Sequence, residues 1–503
     1  MSARADRNAA SWAATYGPAA AAIILAATVA RLLFLVVNPL NLYPDEAQYW
    51  FWAQDFDFGY FSKPPLIAWI IAVATSLCGD GEACVRAPAP LLHGLTAGFV
   101  YLLGRDLYGP RAGFWAAVSY VALPAVFVSS AIISTDVPLL TLWAAALLSL
   151  HRAAERESAF WSFAAGAAIG AGLLAKYAML YVVPGLIILL ALDETMRRFL
   201  FSKNAALMLL TALAIAEPNI VWNAMNGFET VGHTASNAAW GGDLFNVDEL
   251  LDFLIGQIGV FGPLMLGALL WGLVTLRARR REGGAAWTAD RYLLAFALPV
   301  LILMTAQALI SRANANWAAL AYVPAVVLVS GWLLRAGRGR WLAASLALHV
   351  ALGTLALAAV ISPPVLRALD SLTTKAQVSN GLKRLKGWDE IGAIIRAYAA
   401  TGGYAAILST DREDIAEFLY YARGTSTPIL IWNPNETPHN HFEAVVPFAG
   451  AEGRVLLVTR MSDPERVTAR FAVATRIARL ETDIGAGRTR DFQIFELSGY
   501  RAE

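Results

Sequence analysis

The residues best suited to chemistry open a short stretch near the start of the chain. Asp45 and Glu46 follow Pro44, and Lys63 follows in Gly59-Tyr-Phe-Ser-Lys-Pro-Pro65. A carboxylate can take the proton of a weak hydroxyl nucleophile as it attacks. A lysine held in place can stabilise charge growing on a phosphate. Each feature also has a plainer explanation. Acidic residues favour the first turn of a helix, and a lysine beside a membrane snorkels to the headgroups. Further polar groups recur downstream: Asp136 in Ser134-Thr-Asp-Val-Pro138, Lys176 in Ala175-Lys-Tyr177, and Arg312 with Asn316 and Trp317. Asp136 alone would pass as a helix cap. The set carries weight because all its members are expected on one face of a membrane.

That expectation comes from the elements between them. Of 503 residues, 57% are hydrophobic and only 15% charged, against about a quarter charged in soluble domains. The first apolar run, 19–37, approaches the ~20 residues of a membrane span and exceeds the core of a secretory signal. Further runs lie at 89–104, 112–130, 137–150, 160–175, 178–192, 204–222, 251–276, 292–310, 318–334 and 341–361. This predicts an α-helical polytopic protein with about eleven spans. The runs 160–175 and 178–192 are short and read as a helical pair turning near Lys176. Arginine-rich loops, such as 277–291 and 335–340, alternate with loops holding only Lys63, Arg86, Lys176 or Arg312. The positive-inside rule then puts the N-terminus in the cytoplasm and the last residues outside.

The chain divides into a membrane domain, 1–361, and a tail domain, 362–503, which Pro363-Pro364 separates from the last run. The first outer loop, 38–88, holds an aromatic stretch, Glu46–Trp52, suited to the headgroup level. It also holds an apolar run, Pro64–Leu77, too short to span and fit for an interfacial helix. Its two cysteines, Cys78 and Cys84, are the only ones in the chain. An oxidising periplasm allows them to pair, and Gly79 and Gly81 ease the return between them. The tail reads as a small α/β domain. Its expected strands are Tyr404–Ser409, Pro428–Trp432, Arg454–Thr459 and Phe492–Leu497. Its expected helices are Trp388–Ala399 and Asp411–Ala422, the second capped by Thr410.

The segments Tyr43-Pro-Asp-Glu-Ala-Gln-Tyr-Trp50 and Gly59-Tyr-Phe-Ser-Lys-Pro-Pro-Leu-Ile-Ala-Trp69 resemble the bacterial family 39/83 glycosyltransferases of the GT-C fold. These are relatives of protein O-mannosyltransferases and of the lipid A aminoarabinose transferase. Thr135-Asp-Val-Pro-Leu139, Ala175-Lys-Tyr177, Ile220-Val-Trp-Asn-Ala-Met-Asn-Gly227 and Asn316-Trp317 continue the likeness over nearly the whole chain. The resemblance implies inverting transfer of a sugar from a polyprenyl-phosphate donor to a lipid, glycan or protein acceptor of the envelope. It implies Asp45 as general base with Glu46 as the fallback. Lys63 would contact the donor phosphate, with Tyr60, Asp136, Lys176, Arg312 and Asn316 as further donor contacts. Relatives carry Asp or Glu where this chain has Ser62, and in the aminoarabinose transferase that glutamate helps hold zinc. Serine is a poor zinc ligand, so no metal and no cofactor is expected. His233 could be a ligand in relatives, but a lone histidine is more often a loop residue.

Two classes are excluded. A net charge of +1 argues against a nucleic-acid partner, and no phosphate-binding loop or dinucleotide fingerprint appears. A transporter or flippase of a lipid-linked sugar is the alternative, since ionisable residues also mark transport paths. It would be expected to show repeat symmetry and broken midplane helices, and no repeat is visible.

Overall fold

The computed structural model describes residues 2–236, 238, 244–372, 378–433, 437–485 and 488–501. Of the outer loop expected at 223–250, residues 237 and 239–243 lie outside that set. The chain forms two compact units. One comprises Met1–Val36, Lys63–Ile70 and Arg86–Ala356; the other comprises Val37–Ser62, Ile71–Val85 and Leu357–Glu503. The division differs from one drawn by chain order alone, because most of the first loop belongs with the tail.

The membrane unit is helical. Helix α1 spans Ser2–Val37; the first-loop helices, which lie wholly or mostly in the other unit, are α2 (Pro44–Ala53), α3 (Leu66–Cys78) and α4 (Glu82–Arg86). Next come α5 (Pro88–Tyr108), α6 (Pro110–Ala122), α7 (Pro124–Ser129), α8 (Asp136–Arg156), α9 (Ala159–Ala175), α10 (Val182–Leu192), α11 (Glu194–Leu200) and α12 (Lys203–Met225). Then follow α13 (Glu229–Ser236), α14 (Val247–Phe261), α15 (Pro263–Val274), α16 (Leu276–Glu282), α17 (Gly284–Ile310), α18 (Ala319–Arg335) and α19 (Gly339–Ile361). Side-chain caps begin several of them: Ser158, Asp193, Ser202 and Asn246 each accept from a backbone N–H two or three residues on.

Among the described residues seven helices are long and apolar enough to cross a membrane, or nine if each of two bent pairs is one span. The expected eleven is not reached, for local reasons. The run 112–130 is split at Pro124, and α9 has only 17 residues. The run 251–276 bends by 111° between α14 and α15. Gly262 sits at that bend with φ +84°, and a Cβ there would overlap the His349 ring. Only glycine fits both constraints. The turn at Lys176 is sharp as well: its backbone is extended (φ −165°, ψ 137°) and a short 3₁₀ turn, Tyr177–Tyr181, leads into α10.

Close helix approach replaces hydrophobic drive inside a bilayer. Gly166 and Gly170 on α9 press against the backbone of α12, where added Cβ atoms would lie 2.3 Å from the Met208 carbonyl and 2.7 Å from that of Ala212. Two carboxylates of this unit are held by arginines. Asp290 accepts from Tyr108, Trp332 and Arg335, and Arg152 meets Asp106 at 2.6 Å.

The second unit holds a five-stranded sheet of order β2-β1-β3-β5-β4. Strands β1 (Tyr404–Ser409), β2 (Ile429–Ile431) and β3 (Arg454–Thr459) run parallel, while β5 (Arg488–Tyr500) lies antiparallel to β3 and to β4 (Phe471–Gly485). The helices of the tail are α20 (Pro363–Leu372), α21 (Val378–Leu382), α22 (Trp388–Gly402), α23 (Arg412–Tyr421), α24 (His441–Val445) and α25 (Glu465–Thr468). The cap of α23 is Asp411, one residue later than expected. Its carboxylate accepts from the Glu413 and Asp414 amides, while Thr410 bonds Thr459 across the sheet.

Candidate active site

Helix α2 carries Asp45 and Glu46 in its first turn, started by Pro44, whose missing N–H costs nothing there. The two carboxylates have different surroundings. Glu46 is 1% exposed and accepts the Tyr43 N–H at 2.8 Å, closing the helix start. The Asp45 side chain is 43% exposed. It is therefore the accessible carboxylate of the pair.

Asp45 is held from the tail. Arg412, the first residue of α23, donates from Nη1 to Asp45 Oδ1 at 3.1 Å and to Gln48 Oε1 at 2.5 Å. Gln48 lies one turn further along α2 and is buried. A second arginine closes the same clasp. Arg384 stacks over the Tyr43 ring at 4.3 Å, donates to the Tyr43 hydroxyl and pairs with Glu413. Burial raises the Tyr43 hydroxyl pKa, against the pull of Arg384, so this phenol stays protonated.

The rest of the first loop packs on the same unit. Tyr60 stacks on Trp52 at 4.8 Å and donates its hydroxyl to the carbonyls of Trp52 and Asp55. Its polar end is engaged in shaping the loop. His441 lies against Trp52 and Tyr60, and burial lowers its pKa to about 4, leaving it neutral. Cys78 and Cys84 are joined in a disulfide with Cα atoms 5.9 Å apart. Within the loop it closes, Asp80 accepts from Trp50 Nε1 at 2.7 Å, and its carbonyl accepts from the Tyr420 hydroxyl.

The membrane unit gathers a second polar group. Lys176 Nζ donates to Asp136 Oδ1 at 2.7 Å, and Asn316 Nδ2 donates to Asp136 Oδ2 at the same distance. The start of α8, the end of α9 and the 3₁₀ turn Ala315–Ala318 before α18 therefore meet at one end of the bundle. One residue on, Tyr177 donates to Asn219 Oδ1, and Asn223 donates to the Tyr177 hydroxyl. Lys63 precedes α3 in this unit and is half-buried. The side chain of Arg312, after α17, is exposed. His233 lies in α13.

Among the described residues no three His, Cys, Asp or Glu side chains gather in a way that could hold a metal ion. With Ser62 in place of a carboxylate, the donor set does not fit the zinc site that the resemblance suggests, and no chemical step is assigned to a metal.

Arg412, Arg384 and His441 had no signal in the sequence, and Gln48 only its place in the segment Tyr43–Trp50. They are ordinary polar residues at the start of a capped helix, on a buried helix face, in a 3₁₀ turn and at the start of α24. Only the fold brings Arg412 to a carboxylate 367 positions earlier.

Residues 62–222 match the family model described as dolichyl-phosphate-mannose-protein mannosyltransferase. Lipid A galacturonosyltransferase RgtD of Rhizobium johnstonii is 33% identical over 442 residues, 87% of this chain and 90% of that protein. The chain belongs to the family 39/83 glycosyltransferases. Lipopolysaccharide core galacturonosyltransferase RgtA of the same organism is 29% identical over 55% of this chain and 57% of that protein. The crystal structure of ArnT from Cupriavidus metallidurans bound to undecaprenyl phosphate superposes with a TM-score of 0.65 at 17% identity, covering 94% of this chain and 97% of that one. The fold is thus the GT-C fold, and the protein is a multi-pass membrane glycosyltransferase.

Proposed function

We propose that this glycosyltransferase moves a uronic acid, galacturonate, from a polyprenyl phosphate to lipid A or the lipopolysaccharide core on the periplasmic face of the inner membrane. The observation that carries the reading is the near full-length likeness to a lipid A galacturonosyltransferase. An aminoarabinose donor is the second reading, favoured by a 31% identical stretch of 147 residues shared with an undecaprenyl phosphate-aminoarabinose arabinosyl transferase of Pseudomonas fluorescens.

In this mechanism Asp45 is the general base. The acceptor hydroxyl oxygen attacks the anomeric carbon and its proton passes to the Asp45 carboxylate. The bond from that carbon to the phosphate oxygen breaks, and the electron pair leaves with the polyprenyl phosphate. The carbon passes through an oxocarbenium-like state, as in glycoside hydrolysis. Lys63 and Arg312 are the proposed phosphate contacts, offsetting the charge on the leaving group. Lys176 already faces the Asp136 carboxylate, so it and Asn316 act with Asp136 as a fixed polar group for the donor. The tail domain and the first loop would face the periplasm.

The test is mass spectrometry of lipid A and core oligosaccharide from cells with and without the gene. A hexuronosyl increment lost on deletion supports the reading. Loss of a pentosyl increment carrying an amine favours the second reading, and unchanged glycolipids refute both.

A further inference from the structure

The charged group around Asp290 is satisfied within the bundle. Helix α20 has no buried residue, but nothing on the molecule says what covers it. His441 rests chiefly on its burial. The contact between α23 and α2 goes further.

We infer that Arg412, a residue of the tail domain, is a positioning residue for Asp45. This rests on Asp45 being the general base. The geometry has three parts. Arg412 touches one carboxylate oxygen of Asp45, Oδ1; among the described residues no hydrogen bond engages Oδ2. The same guanidinium nitrogen is fixed by the buried amide oxygen of Gln48, which lies three residues after Asp45 and so on the same face of α2. The arginine in turn is the first residue of a helix whose start is tied down twice. Asp411 caps it, and Glu413 pairs with Arg384, which also holds Tyr43 at the start of α2.

The consequence is a carboxylate with one rotamer and one open oxygen. An aspartate at a helix start can swing between staggered rotamers, and a base must lie within hydrogen-bond reach of the proton it takes. Arg412 selects the rotamer through Oδ1 and leaves Oδ2 for the acceptor hydroxyl. Lysine could supply the charge but not the rigid, planar guanidinium that aims its Nη1 at Asp45 and Gln48 together.

The experiment uses the full-length protein in detergent, with polyprenyl-phosphate galacturonate and lipid A as substrates. Arg412→Ala should lower kcat by about 10²-fold, the scale set by misplacing a catalytic group by an ångström. KM for the lipid donor should stay close to that of the unaltered protein. Arg412→Lys should recover only part of the rate. Added guanidinium ion should restore turnover to Arg412→Ala and leave the unaltered enzyme unchanged, which a loss of folding would not allow. Unaltered kcat in Arg412→Ala overturns the inference. So does a loss that guanidinium does not reverse, or one that falls on donor KM alone. Asp45→Asn separates this inference from the reading beneath it. If Asp45→Asn is fully active, the general-base assignment fails, whatever Arg412 does. If Asp45→Asn is inactive while Arg412→Ala is normal, the base stands and only its positioning by Arg412 is wrong.

Discussion

At the scale of single residues, two adjacent carboxylates are sorted by their surroundings. Asp45→Asn keeps the shape and removes the basicity, so the rate should fall by about 10²–10⁴-fold in a turnover assay of well-folded protein. Glu46→Ala should act on the fold instead. Losing its bond to the Tyr43 amide should cost about 1 kcal/mol, in the range of a lost helix cap, read as a lower unfolding midpoint. Lys63→Ala should lose roughly 2.7–4 kcal/mol of transition-state stabilisation, with partial rescue by Lys63→Arg; unchanged kinetics would remove Lys63 from the site. His441 gives a pH signature. Its folded pKa of about 4 lies below the usual 6.5, so the unfolded chain binds its proton more readily. Its contribution is fully present above pH 6.5 and is lost as pH falls from there through 4. Asp414 works the other way in that window, because burial outweighs Arg460 and raises its pKa to about 7. The stability difference between the unaltered protein and His441→Asn, followed across pH 4–7, isolates the histidine; a flat difference would contradict the assignment.

At the scale of elements, small residues decide how helices meet. Gly166→Ala would drive a methyl into the Met208 carbonyl. A destabilisation of about 1–3 kcal/mol is expected from such overpacking, visible in thermal unfolding in detergent. The disulfide ties the end of α3 to α4. In right-side-out spheroplasts a membrane-impermeant maleimide should label Cys78 and Cys84 only after reduction and denaturation; labelling without reductant would exclude the bridge. This is also the scale at which the sequence was most legible. The short apolar runs Tyr404–Ser409 and Arg454–Thr459, expected as strands, are β1 and β3. Strand β4 is exposed along its first half, where no alternation announces it; only its second half carries the period, Arg479, Glu481 and Asp483 alternating with Leu480, Thr482 and Ile484. The bend at Gly262 was hidden inside an unbroken apolar run. Polar motifs on separate helices were legible as Asp136, Lys176 and Asn316, since each interrupts apolar sequence. Their mutual contact was not, since spacing along the chain says nothing about which helix ends meet.

At the scale of the molecule, the tail is not an appendage of the chemistry. It shares a compact unit with the loop that carries Asp45. The activity should tolerate EDTA, because no described cluster fits a metal; loss on chelation with recovery by zinc alone would show a site that Ser62 does not preclude. Removing 362–503 should abolish turnover even though Asp45 and Lys63 remain in the shortened chain. A truncated enzyme with normal rates would show that the loop organises itself.

The pairing of Asp45 with Arg412, and of the Leu42 amide with the Tyr421 hydroxyl, spans 367 and 379 positions. Contacts so distant must wait for the last part of the chain to be made, and at roughly 5–20 residues per second the wait is tens of seconds. Through that interval α2 exists without its partner helix, with Gln48 and the aromatic residues of its buried face uncovered. The clasp on Asp45 can therefore close only after α23 has been made. A chain that stops before α23 would lack the partner of Asp45 and leave α2 uncovered, a form that limited proteolysis should cut more readily than the full chain.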